Sequence, residues 1–180
     1  MIDLTRQQYL SNLLRDVPDF PRPGILFKDI TPLLANPQAV QTVVYEIVEH
    51  FKIRQIDAVA AVEARGFFFG AMIAQGLNVP FVPVRKAGKL PFHKVTEEYE
   101  LEYGTAAIEM HIDALPKGAR VLIHDDVLAT GGTATAAGNL VQKLGGVVAG
   151  YSFIINLSFL PGENNLRSSF SVTPHYLMKV

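Results

Sequence analysis

The most informative segment of the chain runs from Val121 to Thr133 and reads VLIHDDVLATGGT. It begins with an apolar run of the kind that forms a strand buried on both faces. Two carboxylates follow at Asp125 and Asp126, then a short Thr-Gly-Gly-Thr loop, and from Thr133 to Leu144 the pattern predicts a helix. A buried strand that passes through a glycine loop into a helix is typical of a parallel α/β sheet.

The rest of the chain repeats this alternation of strands and helices. Apolar runs predict strands over residues 58–62, 81–84, 105–111, 119–124 and 147–156. Apolar spacing of three and four predicts helices over residues 37–51 and 66–75, with Asn36 as the cap of the first and Gly76 as the end of the second. The sequence therefore predicts an α/β fold with a doubly wound, mainly parallel sheet flanked by helices.

Three segments stand outside this alternation. Residues 10–17 carry apolar side chains at helical spacing and predict an N-terminal helix. The proline-rich stretch 18–24 suits neither a helix interior nor a central strand. Residues 93–104 alternate poorly and predict a mobile loop or ribbon. No repeat or linker divides the chain, so we expect a single domain over residues 1–180.

The composition excludes several classes of protein. The 180 residues hold 16 Lys and Arg against 17 Asp and Glu, and this balance argues against a nucleic-acid binder. Cysteine is absent, which excludes disulfides, thiolate catalysis and thiolate zinc sites. Since neither a signal peptide nor a spanning segment is visible, we expect a cytoplasmic protein with no membrane partner. The low charged fraction of 18% favours an oligomer.

Charged residues follow three of the predicted strands. Residues 63–66 read Glu-Ala-Arg-Gly, residues 85–89 read Arg-Lys-Ala-Gly-Lys, and Asp125 and Asp126 follow the strand at 119–124. Any one of these clusters could simply mark where solvent begins. The three together predict a site at the carboxyl edge of the sheet, where ligands bind in such folds. Cations there suit phosphate, and the carboxylates suit sugar hydroxyls or a divalent metal.

The loop from Ala129 to Thr133 has the features of an anion cradle. Glycines at 131 and 132 let the backbone approach a ligand, and a helix N-terminus adds unpaired N–H groups and a positive dipole end. Asp125 and Asp126 can accept hydrogen bonds from two ribose hydroxyls. The segment therefore predicts a site for ribose 5-phosphate. An ordinary capped turn with Thr133 as the N-cap would explain the glycines but not the acid pair.

Other motifs do not match. The loop lacks the lysine of a nucleotide-triphosphate phosphate loop, and residues 145–150 lack the glycine spacing of a dinucleotide site. No serine lies in a nucleophile elbow. The five histidines show no metal-ligand spacing and are interpreted as surface or core-edge residues.

The acid pair with its Ala-Thr-Gly-Gly-Thr loop resembles the phosphoribosyl pyrophosphate signature of the type I phosphoribosyltransferases. Four further blocks are similar to the members of that family that use adenine, and they follow the family's order along nearly the whole chain. They are residues 19–30 (DFPRPGILFKDI), 63–67 (EARGF), 85–91 (RKAGKLP) and 101–104 (LEYG). The resemblance implies a small N-terminal hood within residues 1–35, a core over 36–180 and a flexible catalytic loop.

The resemblance also implies a role for individual residues. The 5-phosphate is expected at Ala129, Thr130, Gly131, Gly132 and Thr133, and the ribose at Asp125 and Asp126. Pyrophosphate is expected at Glu63, Ala64, Arg65, Arg85, Lys86 and Lys89, with a non-proline cis peptide in the loop 63–66. Adenine is expected at Leu26, Lys28, Arg65, Val127 and Leu157. The catalytic residues are expected to be Glu102, Tyr103 and Arg65. Lys28 replaces a frequent arginine and Ala87 a frequent polar residue.

The implied reaction joins adenine to phosphoribosyl pyrophosphate and gives AMP and pyrophosphate, as a step of purine salvage. Mg²⁺ is the expected cofactor, held mainly by substrate and water rather than by protein ligands. Glu102 is the candidate base; its alternative role is a solvated charge among Glu97, Glu98 and Glu100. A homodimer is expected.

Two other functions stay open at this point. A phosphoribosyltransferase for a 6-oxopurine base would share most of these motifs. A ligand-sensing transcription regulator of the same fold would need an added DNA-binding region and a basic excess, and the sequence provides neither.

Overall fold

The computed structural model describes residues 3–100 and 104–180. Its helices are α1 (Leu4–Ser11), α2 (Thr31–Leu34), α3 (Pro37–Phe51), α4 (Arg65–Leu77), α5 (Gly132–Lys143) and α6 (Gly162–Phe170). Its strands are β1 (Arg15–Pro18), β2 (Leu26–Asp29), β3 (Ala58–Val62), β4 (Phe81–Lys86), β5 (Lys94–Glu100), β6 (Thr105–His111), β7 (Arg120–His124), β8 (Val127–Leu128), β9 (Val147–Asn156) and β10 (His175–Lys179). No helix formed by the described residues combines the length and apolar character that crossing a bilayer requires.

The mainly parallel sheet that the sequence predicts is confirmed. Its strand order is β10-β9-β7-β3-β4-β6-β5, with β8 paired to β9. The strands from β10 to β4 are parallel, whereas β6 and β5 form an antiparallel ribbon at one edge. Because the parallel strands end at the same edge, the loops after β3, β4 and β7 come together there.

Helices cover both faces of the sheet, as a doubly wound fold requires. On β3, Ala58, Ala60 and Val62 pack into one core with α5 and α6. Val59 packs into the other core with α3 and α4. The alternation follows from the two-residue period of a strand, and it buries β3 completely.

Helix α3 begins as its sequence predicts. The side chain of Asn36 accepts a hydrogen bond from the N–H of Ala39 at 3.1 Å, and Pro37 occupies the first turn. This cap satisfies one of the N–H groups that have no partner inside the helix. The face that contains Ala39, Val43 and Ile47 is buried against the sheet.

The predicted N-terminal helix over residues 10–17 is wrong in its extent. Helix α1 ends at Ser11, and β1 then pairs with β2 as a separate antiparallel sheet that frames the proline-rich loop. Leu13 and Leu14 nevertheless pack against the α3–α4 core. Their apolar spacing thus comes from packing of the segment onto the core and not from one face of a helix.

Smaller differences occur at element ends. Helix α4 continues past Gly76 to Leu77 and ends at Asn78, whose φ of 56° lies in the left-handed region that asparagine tolerates. Residues 94–100 form a regular strand of the β5–β6 ribbon, so the ribbon interpretation is confirmed for them. Helix α6 and strand β10 have no counterpart among the sequence predictions.

Candidate active site

Two cavities lie where the loops after β3, β4 and β7 meet. The larger, of about 280 Å³, is lined by seven of the predicted site residues: Glu63, Ala64, Arg65, Lys86, Asp125, Asp126 and Thr133. The smaller, of about 70 Å³, is lined by the whole segment 129–133 together with Asp125 and Val127. Asp125 and Thr133 contribute to both cavities. The acid pair and the glycine loop therefore belong to one site, which we call the strand-end site.

The glycine loop has the geometry of an anion cradle. Gly131 precedes α5 with a φ of +86°, a left-handed conformation that favours glycine, and no side chain caps the helix. The alternative of Thr133 as an ordinary N-cap is therefore wrong, since α5 already begins at Gly132. The first N–H groups of α5 have no intrahelical partner, and this end of the helix attracts anions.

Helix α6, which the sequence analysis missed, forms the outer wall of the cradle. A Cβ atom on Gly162 would lie 2.2 Å from the carbonyl oxygen of Ala129, so only glycine permits this approach. The side-chain amide of Asn165 donates a hydrogen bond to the carbonyl oxygen of Thr130 at 2.8 Å. The Pro161-Gly162 pair at the start of α6 is the sequence signal that could have revealed this helix.

In the acid pair after β7, Asp126 is buried and Asp125 is half-buried. Asp126 is 3% exposed, and its backbone N–H donates to Asp125 Oδ1 at 2.9 Å. Burial and the neighbouring charge of Asp126 raise the pKa of Asp125 well above its ordinary value. Burial also raises the pKa of Asp126, although the nearby Arg65 opposes that rise. Hydroxyl donors of a sugar would stabilise the ionised carboxylates in place of water.

Arg65 connects the acid pair to the N-terminal segment. Its Nε lies 3.0 Å from Asp126 Oδ2, its Nη1 donates to the carbonyl oxygen of Lys28 at 3.3 Å, and its guanidinium lies 4.7 Å from the ring centroid of Phe27. The ammonium of Lys28 pairs with Asp16 at 2.7 Å. Lys28 thus reaches the site through its main chain, and its side chain is occupied elsewhere.

The predicted cis peptide is present between Glu63 and Ala64. The Glu63 carboxylate accepts two hydrogen bonds from Arg85, at 3.0 and 3.1 Å, and one from the N–H of Lys86 at 3.1 Å. Hydrogen bonding from Arg85 is the main reason that the pKa of Glu63 is lowered. Arg85 also donates to the carbonyl oxygen of Lys89 at 2.9 Å. Lys86 lines the larger cavity, whereas Arg85 and Lys89 are not among its lining residues.

The three apolar residues that are expected to contact adenine lie around the edge of the site. Val127 pairs with Ile155 through β8 and β9, and the N–H of Leu157 donates to the carbonyl oxygen of Leu128 at 2.9 Å. Val127 and Leu157 are therefore neighbours. Leu26 lies on β2 and is 49% exposed. Leu26 and Leu157 do not line the larger cavity.

Sequence reasoning missed Tyr99 and Ile108, which line the larger cavity from the β5–β6 ribbon. Val95, Glu97 and Tyr99 are half-buried on one face of β5, and this period of two is the signal that could have found Tyr99. Glu97 obscures the pattern because it is a charged residue on the inward face. The predicted catalytic residues Glu102 and Tyr103 lie outside the described residues.

His50, His111 and His175 are half-buried and His93 is exposed, which agrees with their interpretation as surface or core-edge residues. Within residues 3–100 and 104–180, no group of three or more His, Asp or Glu side chains could hold a metal ion. His124, however, is fully buried and not at the core edge: its Nδ1 lies 2.9 Å from Ser152 Oγ, and burial lowers its pKa to about 3. It is thus a neutral core residue directly before the acid pair.

Comparison with known proteins places this chain in a family. The sequence pattern of the phosphoribosyl transferase domain matches residues 29–155. The adenine phosphoribosyltransferase of Cytophaga hutchinsonii is 52% identical over 160 residues, which cover 89% of this chain and 88% of that protein. The crystal structure of adenine phosphoribosyltransferase from Rhodothermus marinus superposes with a TM-score of 0.93 at 48% identity, covering 99% of this chain and 100% of the other. The enzyme from Trypanosoma brucei, solved with AMP, pyrophosphate and ribose-5-phosphate, has a TM-score of 0.90 at 29% identity, covering 99% and 81% of the two chains.

Proposed function

The chain belongs to the adenine phosphoribosyltransferases of the phosphoribosyl transferase family, and on this premise we propose that the strand-end site is where it transfers the 5-phosphoribosyl group from phosphoribosyl pyrophosphate to adenine. The products are AMP and pyrophosphate, and the reaction is a step of purine salvage. The relatives named above are adenine enzymes, which favours adenine over a 6-oxopurine base and an enzyme over a regulator.

One structural observation supports this assignment above the others. The acid pair and the phosphate cradle follow the same strand, and Asp125 and Thr133 line both cavities. A ribose 5-phosphate presents two hydroxyls at one end and a dianion at the other. In the proposed complex Asp125 and Asp126 accept hydrogen bonds from the hydroxyls, and residues 129–133 donate to the phosphate.

The pyrophosphate lies beside Ala64 and Lys86 in the proposed complex. Both line the larger cavity, and the charge of Glu63 is balanced there by Arg85. The bond between the anomeric carbon and the pyrophosphate oxygen breaks, and that oxygen keeps the electron pair. Lys86 then stabilises the negative charge that develops on the leaving group.

Adenine lies between Arg65 and the apolar pair Val127 and Leu157 in the proposed complex, below the hood that contains Leu26. An imidazole-ring nitrogen of adenine forms the new bond to the anomeric carbon and loses its proton. Glu102 is the proposed acceptor of that proton, and Tyr103 is a further proposed catalytic residue.

Magnesium fits this site as a partner of the substrate. The described residues provide no group of three or more His, Asp or Glu side chains that could hold a metal ion, so substrate and water would be its main ligands. Mg²⁺ keeps several waters and leans on substrate phosphates. When bound, it neutralises charge on the pyrophosphate.

We also propose that the protein is a cytoplasmic homodimer built from single-domain chains, with a hood over residues 1–35 and a core over 36–180. Two exposed aromatic residues support self-association. Phe68 on α4 is 49% exposed, and Phe92 before β5 is 67% exposed. Light scattering of the purified protein tests the dimer. A mass of one chain, 19.8 kDa, at micromolar concentration would contradict it.

A product assay tests the function. The protein is mixed with Mg²⁺, phosphoribosyl pyrophosphate and one purine base at a time, and the nucleotides are separated by chromatography. We expect AMP from adenine and no nucleotide from hypoxanthine, guanine or xanthine. The double variant Asp125→Asn, Asp126→Asn should lose the activity, whereas Asp113→Asn, at an exposed aspartate in a turn, should keep it. Equal rates with hypoxanthine would overturn the assignment.

A further inference from the structure

Glu109 is a buried carboxylate that the proposed reaction does not use. It lies on β6 and is 4% exposed, although buried carboxylates are rare unless they are paired. It lies 3.1 Å from Lys94 Nζ on the neighbouring strand β5, and it accepts a hydrogen bond from the N–H of Gly88 at 3.0 Å. The first contact stays within the ribbon, whereas the second reaches the loop that follows β4.

Besides the backbone bond from the N–H of Ala87 to the carbonyl oxygen of Ala107, side chains of the ribbon hold two more backbone groups of this loop, residues 86–91. Lys94 Nζ donates to the carbonyl oxygen of Leu90 at 3.2 Å. His111 Nε2 donates to the carbonyl oxygen of Pro91 at 2.8 Å. Together with the Glu109 contact, these side-chain bonds fix the loop at three points along its length. Glu109 makes one of these three contacts itself and holds the ammonium of Lys94, which makes the second.

The loop brings several cations close together. Arg85, Lys86 and Lys89 lie within five consecutive residues, and Lys94 Nζ contacts the carbonyl oxygen of Leu90 at the end of the same loop. Like charges repel one another, so a loose loop would carry its lysines apart and into solvent. Glu63 balances Arg85 from the side of β3, as described above. Glu109 is the carboxylate that holds the loop from the side of the ribbon.

We propose that Glu109 is a positioning residue for the pyrophosphate subsite, which fixes the loop 86–91 so that Lys86 and Lys89 present their charge to the leaving group. It does not line the cavity and acts only through the loop. The inference rests on the proposed function, because it takes the pyrophosphate to leave beside Lys86.

Glu109→Gln tests the proposal, because the amide keeps the shape and one acceptor for the N–H of Gly88 but removes the ion pair with Lys94. We expect the KM for phosphoribosyl pyrophosphate to rise about tenfold. The KM for adenine should stay within about twofold, whereas kcat should also fall, because Lys86 stabilises the charge that develops on the leaving group. A merely structural role would lower the melting temperature and the active fraction but would leave both KM values unchanged.

Two more variants complete the test. Glu46→Gln is the matched control, since it removes a comparable ion pair with Arg6 far from the loop and should leave both KM values unchanged. Lys94→Met serves where Glu109→Gln does not fold, because the Lys94 side chain is 30% exposed and tolerates replacement better. It should raise the KM for phosphoribosyl pyrophosphate about fivefold. If the folded variant leaves this KM within about twofold of wild type, or raises both KM values equally, the proposal is overturned.

Calorimetric titration with inorganic pyrophosphate and Mg²⁺ separates this inference from the proposed function. Binding to wild type that weakens about tenfold in Glu109→Gln supports the positioning role even if no AMP forms. Equal affinity in the two proteins, or no binding to wild type, overturns it even if AMP forms. The product assay tests the proposed function by itself, because it measures whether AMP forms.

Discussion

Arg65 Nε lies 3.0 Å from Asp126 Oδ2, and this ion pair joins the loop after β3 to the acid pair after β7. The same guanidinium packs over Phe27 and donates to the carbonyl oxygen of Lys28, so it also holds the hood. One side chain therefore sets the distance between the proposed base pocket and the proposed ribose pocket. Planarity and several donors on one group make arginine suited to this position.

Arg65→Lys should damage the site while it keeps the charge. A lysine can pair with Asp126 or donate to the hood but cannot stack on Phe27 at the same time. We expect the KM for adenine to rise about tenfold and the free energy of unfolding to fall by about 2 kcal/mol, measured by steady-state kinetics and urea denaturation. Arg54→Lys is the control, because Arg54 stacks on Phe51 away from the site. An unchanged KM for adenine would exclude Arg65 from the base pocket.

Asp125→Asn should separate stability from function. Because folding raises the pKa of Asp125, the folded state favours the protonated form, and this contribution to stability is present below the ordinary pKa of 3.8 and is lost as the pH rises through the folded pKa. We therefore expect the variant to be more stable than wild type at pH 7, with a difference that vanishes toward pH 4. Its affinity for phosphoribosyl pyrophosphate should fall.

Urea denaturation of both proteins from pH 4 to pH 8 measures this difference. Wild type and Asp125→Asn must be compared with each other at every pH, because burial lowers the pKa values of His124 and His175 to about 3. Those histidines contribute stability above pH 6.5 that is lost as the pH falls toward 3. This pH dependence is opposite to that of the Asp125 contribution. The variant keeps both histidines, so their effect cancels. A difference in stability that grows toward acid pH would contradict the expectation.

Gly162→Ala should distort the phosphate cradle, because its new Cβ atom would lie 2.2 Å from the carbonyl oxygen of Ala129. We expect a loss of stability of about 2 kcal/mol and a weaker affinity for phosphoribosyl pyrophosphate. Gly150→Ala is the matched control, since its Cβ atom would meet the Phe51 ring at 2.6 Å in the core. It should lose comparable stability at unchanged affinity. Equal affinities in the two variants would argue against a role of α6 in the cradle.

Glu102→Gln should lower kcat without weakening the binding of phosphoribosyl pyrophosphate. The amide cannot accept the proton that adenine loses, and we expect kcat to fall at least about a hundredfold. Rapid-quench kinetics measure the chemical step directly, and Glu98→Gln, on an exposed residue of β5, provides the control. Turnover equal to wild type would remove Glu102 from the mechanism.

The sequence was sufficient for the parts of the fold that depend on neighbouring residues. The segment 121–133 predicted strand, acid pair, loop and helix, and each follows from apolar periodicity and glycine placement within a few positions. The cap of α3 at Asn36 was predictable for the same reason. The extent of the N-terminal helix was not predictable, because Leu13 and Leu14 pack onto a core built from distant residues.

Only the tertiary structure decided which of the predicted charges face the cavity. Arg85 and Lys86 are adjacent in sequence, yet Arg85 is bound by Glu63 and Lys86 lines the cavity. Glu97 interrupted the strand pattern of β5 because its partners, Asn139 and Lys143, lie on α5. The sequence alone was sufficient for the fold class and predicts the chemistry of the site, because both depend on short local patterns. The assignment of individual side chains depended on contacts between residues far apart in the chain, which exist only once the sheet and helices have packed.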